Sequence, residues 1–137
     1  MAYKDTSRDW LYFAQSDLLA AERLFEEELY HLVCFHAHQA IEKIFKGMMR
    51  SKGKNIPKTH DIISLYNAIL PLVGELPVSD DDMGFVNRFY IPTRYPDTFP
   101  GALPEGLPTK DDAGRALEIA RETLKCIGNK LTTEQRN

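Results

Sequence analysis

The chain lacks most features that announce a chemistry. No apolar run approaches the ~20 residues that cross a bilayer, and the opening Met-Ala-Tyr-Lys-Asp-Thr has no apolar signal region. A membrane protein is therefore not expected, and a cytoplasmic location is. The two cysteines, Cys34 and Cys126, have no CxxC spacing, so reduced core thiols are expected rather than a disulfide frame. Positive charge is not in excess: the net charge is −3. That excludes a general attraction to nucleic acid or anionic lipid, and any such contact must be a local patch. There is no nucleophile elbow, no phosphate-cradling glycine-rich loop and no metalloprotease histidine pair. Strand alternation and internal repeats are also missing.

What is present is helical. The 137 residues, 43% apolar and 27% charged, make one globular domain that buries roughly two-thirds of its unfolded surface. The segment Tyr30 to Arg50 organises it. Val33, Ala37, Ala40, Ile41, Ile44 and Met48 recur at helical spacing, and Cys34, His38, Ile41, Phe45 and Met48 form a second stripe beside them. An apolar arc this wide, well over about 100°, belongs to a central helix. The spacing predicts helix over 30–51, with Gly53 as a left-handed stop and Pro57 barring continuation.

The other elements follow from periodicity and caps. Helix one is predicted over 7–28, opened by a Thr6-x-x-Asp9 capping box, with Asp17 inside its apolar stripe. A carboxylate there needs a partner. Thr59 is expected to cap a short third helix that Pro71 stops. Ser79 and Asp82 form a second capping box for a helix over 80–90. Thr109 and Asp112 form a third, for a last helix over 110–131, followed by a fraying tail. Between them, prolines at 92, 96, 100, 104 and 108 exclude helix and sheet and leave a long loop over 91–108. The fold class is all-α: an up-and-down bundle of about five helices, three long and two short, in a single domain with its core over about 7–131. Large apolar residues beyond one seam's need, Trp10, Leu11, Phe13, Phe35 and Phe45, suggest a homodimer.

Several clusters carry chemistry. His31, Cys34 and His38 share a helical face, but a metal site needs a further ligand from elsewhere in the chain, for which His60 is the candidate, so a polar edge of the core is expected rather than a metal site. Glu42 and Lys46 are an i, i+4 pair expected on a solvated face. Glu42 and Lys43 lie nearer the apolar stripes, where Asp17 and His60 are potential partners. In Tyr90-Ile-Pro-Thr-Arg-Tyr-Pro-Asp97, prolines on both sides of Arg94 restrict the backbone around a guanidinium suited to phosphate or carboxylate.

These pieces resemble the HEPN family, the "higher eukaryotes and prokaryotes nucleotide-binding" domain, in its small stand-alone prokaryotic form. The resemblance rests on Ala14-x-x-Asp17-Leu18-x-x-Ala21, the Cys34 to Lys46 run with its Gln39-Ala-x-Glu42-Lys43, Thr59-His60-Asp61-Ile62, and Thr93-Arg94-Tyr95-Pro96-Asp97. It implies a helical bundle, commonly dimeric, that takes nucleotide or RNA and often works with a separate small nucleotidyltransferase in a toxin–antitoxin-like pair. The family's ribonuclease branch has an arginine followed four to six residues later by a histidine. No arginine here is so followed, since the last histidine is His60. A binding module without catalysis of its own is therefore expected. Arg94, with Lys43 or Lys46, would meet phosphates. Tyr95 or Tyr90 would meet the base, and Asp97 lies in the same segment. Asp17, Gln39, Glu42 and His60 would form a structural polar network. No resident cofactor or metal is expected, only a nucleotide ligand such as ATP. Two alternatives stand beside this reading. One is a metal-independent ribonuclease built on His60 and Arg94. The other is a purely structural interaction protein, its helix register fixed by buried polar groups.

Overall fold

The computed structural model describes residues 5–90 and 106–136, with side chains of the last helix described to Lys130. Five helices are described: α1 (Ser7–Glu26), α2 (Tyr30–Ser51), α3 (Ile62–Val73), α4 (Asp80–Asn87) and α5 (Lys110–Arg136). No strand occurs among the described residues. The three long helices pack on one another with α2 at the centre, and the short α3 and α4 cover its remaining face. Both expected stripes of α2 are buried, including Val33, Ile41, Ile44, Phe45 and Met48 at 0% exposure. Phe45, expected at an interface, is thus core. No described helix is long and apolar enough to cross a membrane.

The turns show why short connections suffice. After α1 the chain passes through Glu28 at φ 62°. The Leu29 N–H donates to the Leu24 carbonyl (3.0 Å) and the Glu28 N–H to that of Phe25 (3.1 Å), the two bonds of a Schellman stop. The α1 helix therefore ends at Glu26 rather than at residue 28. The end of α2 repeats this: Gly53 has φ 72°, Lys54 N–H donates to Met49 and Gly53 N–H to Arg50, each at 3.0 Å. Gly47 has a different use. A Cβ there would stand 2.9 Å from Trp10 Cβ, so α1 crosses α2 at a point only glycine fits.

Two of the three expected capping boxes form. The Ser79 N–H donates to Asp82 Oδ2 (2.9 Å) and the Asp82 N–H to Ser79 Oγ (3.1 Å). Thr109 and Asp112 exchange the same bonds at 3.0 and 3.1 Å. Thr6 makes no side-chain cap; the Asp5 carboxylate instead takes the Ser7 N–H at 2.8 Å. At α3 the cap is Asp61, which accepts from the Ile63 N–H (3.0 Å), while Thr59 Oγ1 accepts from the Asp61 N–H (3.1 Å). Pro71 does not stop α3. The helix carries it for a further two residues and ends at Gly74, φ 81°, since a ring near the end removes one backbone bond without breaking the packed face. The α4 helix ends at Asn87 rather than at residue 90, and α5 runs on to Arg136, past the expected end at 131.

Candidate functional site

One face of α2 is polar and aromatic where its flanks are core. At helical spacing, His36, Gln39 and Lys43 lie towards α1, and Phe35, His38, Glu42 and Lys46 towards the α3 and α4 side. Two carboxylates of the same design sit on this face. Asp17 of α1 accepts from His36 Nδ1 (2.9 Å) through Oδ1 and from Lys43 Nζ (2.6 Å) through Oδ2. Glu42 accepts from His60 Nδ1 (3.0 Å) through Oε1 and from Lys46 Nζ (3.0 Å) through Oε2. Each is a carboxylate held between one imidazole and one ammonium. Asp17 thus has the partners its buried position demanded. Burial alone would raise the Asp17 pKa, but the hydrogen bonds from His36 and Lys43 outweigh it and hold the carboxyl below its ordinary value.

The two groups differ in exposure. The Glu42 and Lys46 side chains are only 6% and 8% exposed, whereas the His60 ring they support is 60% exposed. Lys46 therefore does not lie on a solvated face, and the segment before α3 brings His60 onto the Glu42 carboxylate. Lys43 is 27% exposed, and its ammonium lies 6.0 Å from the centre of the exposed Phe13 ring. Gln39, expected in the polar network, makes no hydrogen bond to it among the described residues.

Behind His60 the aromatic rings close up. Tyr90 stacks on His60 with centroids 5.1 Å apart and planes 22° from parallel, and lies 4.5 Å from His38 and 6.1 Å from Phe35. Tyr90 is accordingly buried, its ring taken by protein partners rather than open to a base. His38 is fully buried. Its Nε2 donates to Asn87 Oδ1 (3.2 Å), and its Nδ1 has no hydrogen-bond partner among the described residues. Burial drives its pKa down from 6.5 to about 4 against the opposing pull of Asn87 and Glu42, so the ring is neutral at pH 7. Asn87 is fixed at both ends of its amide: Oδ1 also takes the Ile62 N–H (3.3 Å), and Nδ2 donates to Asp61 Oδ1 (3.3 Å).

Of the residues expected at the site, Tyr90, Lys43, Lys46, Asp17, Glu42 and His60 fall on or against this face, while Arg94, Tyr95 and Asp97 lie outside the described residues. His36 and Asn87 join the face from outside the expected set, as does Phe35, expected at an interface. His36 had a readable signal, since it precedes Lys43 by seven residues and shares its face. Asn87 had none, being drawn in only by the docking of α4. Neither His31, Cys34 and His38 nor any other group of three such side chains among the described residues is arranged to hold a metal. Burial, with a smaller push from the Asp112 carboxylate, raises the Cys34 thiol to about 12, so it is an inert core group.

A helical bundle with a carboxylate-bearing polar face on its central helix defines a class of all-α domain. The chain belongs to the HEPN domain family, whose model matches residues 7–130. Its structure is similar to that of TT1696 from Thermus thermophilus, with TM-score 0.80 and 29% identity over 93% of this chain and 99% of that one. It is also similar to ST0689, an archaeal HEPN homologue, with TM-score 0.69 and 26% identity over 91% and 97% of the two chains. No curated protein matches the sequence.

Proposed function

We propose that the protein is a nucleotide- or RNA-binding module of the HEPN family, without catalysis of its own. In this reading it acts with a separate small nucleotidyltransferase in a toxin–antitoxin-like pair in the cytoplasm. The observation that carries the reading is the fixed position of Tyr90. It is stacked against the polar face of α2, and the Arg94 segment follows it directly in the chain. Arg94 is four residues on from Tyr90, a length that spans at most about 14 Å. Arg94 meets the phosphates by its fork geometry. Tyr95 stacks on the base, and Asp97 completes the polar set. Lys43 is the partly exposed cation of the face and adds to phosphate recognition. Lys46 and Tyr90, both buried, have a supporting role in this reading.

A homodimer is part of the proposal. Tyr12, Phe13 and Leu19 of α1 are 65%, 55% and 53% exposed, more large apolar surface than one helix of a lone bundle needs. Calorimetry with ATP and GTP on the wild type and on Arg94→Ala tests the ligand reading. Heat from the wild type that Arg94→Ala loses is the expected result. Equal heats, or none from either protein, reject the nucleotide site. A nucleotidyltransferase co-purifying from the native host is the expected partner, and sedimentation as a monomer at micromolar concentration rejects the dimer.

A further inference from the structure

His60 has a feature that ligand binding does not use. Its Nδ1 is held at 3.0 Å by Glu42, whose other oxygen is held at 3.0 Å by Lys46. A carboxylate accepts and does not donate, so Nδ1 carries a proton, and in the neutral ring the lone pair lies on Nε2. Tyr90 backs the ring from 5.1 Å, which sets its orientation. Among the described residues Nε2 has no partner, and the side chain is 60% exposed. Taking Glu42 and Lys46 out of water costs several kcal/mol per ion, a large penalty for orienting one surface imidazole.

We infer that His60 is a phosphoryl acceptor, modified at Nε2 by a small donor of the phosphoramidate or acyl-phosphate class. The Nε2 lone pair attacks phosphorus. The bond from phosphorus to the donor nitrogen or oxygen breaks, and the leaving amine or carboxylate departs with that electron pair. Nδ1 keeps its proton, so the ring becomes a cation as the new N–P bond forms. Glu42 stabilises that cation at hydrogen-bond distance, and Lys46 keeps Glu42 ionised and in place. Both are positioning residues. The other histidines lack some part of this arrangement. His36 is similarly held by Asp17 but is only 28% exposed, His38 is buried, and His31 has no carboxylate on its ring among the described residues.

The test is phosphorylation of the intact protein by potassium phosphoramidate at neutral pH, with the site mapped by tandem mass spectrometry. Wild type is expected to label at His60 at least about tenfold faster than at any other histidine, and faster than a Lys58–Ile63 peptide, as an activated nucleophile does. Glu42→Gln keeps the shape but removes the charge, and should slow His60 by about tenfold, since a charge-assisted bond becomes a neutral one. Nitrogen-15 NMR of the imidazole gives a readout that mere structural damage would not move: the Nδ1–H tautomer dominates in wild type and loses its dominance in Glu42→Gln. Labelling spread over several histidines, or His60 no faster than the peptide, overturns the inference. The wild-type map decides this even if Glu42→Gln fails to fold.

Discussion

His60 and Lys46 hold opposite oxygens of one carboxylate, each 3.0 Å from Glu42, yet one ring faces solvent and the other side chain is buried. The three groups form a hydrogen-bonded chain running from the core of the bundle to its surface. Within the bundle Glu42 and Lys46 are each other's counter-charge, and neither tolerates the loss of its partner.

Lys46→Met is therefore expected to destabilise the protein by about 3 kcal/mol, because it leaves the Glu42 carboxylate buried beside an apolar chain. Adding Glu42→Leu should recover part of that loss, since removing both charges is far less destabilising than removing one. Urea denaturation of the three proteins measures both effects. Equal stability of Lys46→Met and wild type would show that the pair is solvated.

Stability should fall with acid in two windows. His38 has a folded pKa near 4 against an ordinary 6.5, so between those values the unfolded chain binds more protons. Its contribution is full above about pH 6.5 and is lost as pH falls towards 4, by about 3 kcal/mol in all. Asp17 has the opposite chemistry and the same sign. Its depressed carboxyl pKa contributes stability above the ordinary value of 3.8 that is lost as pH falls below it. Denaturation at pH 7, 5.5 and 4.5 should show the first loss, and His38→Leu should flatten it whatever its effect at pH 7.

Gly47→Ala should cost about 1–3 kcal/mol, the usual penalty of overpacking. The added methyl would meet Trp10 Cβ, an atom fixed by its own backbone, at 2.9 Å. Trp10→Ala should restore much of the loss in the double variant, which a melting series on the four proteins would reveal. Additive losses would place the effect in α2 alone.

Much of the bundle was legible in the residues. The broad apolar face of α2, the boxes at Ser79 and Thr109 and the left-handed stop at Gly53 are written in short-range spacing. Each depends on spacing or bonds within a few residues of the chain. The need of Asp17 for a partner was also legible, because a carboxylate in an apolar stripe must be satisfied. The failed cap at Thr6 and the passage of α3 through Pro71 were not. There a neighbouring carboxylate and a packed helix face outweighed the local preference.

By itself, then, the sequence determined the helices, most of their ends and the centrality of α2, since helical period and capping are local properties of the chain. Only the tertiary structure decided that Glu42 meets His60, 18 residues away, that Lys46 is buried while Lys43 is not, that Phe45 enters the core while Phe13 faces solvent, and that Asn87 locks His38. Those outcomes depend on which element covers each turn of α2. Burial is a property of the neighbours, and no spacing within one helix encodes it.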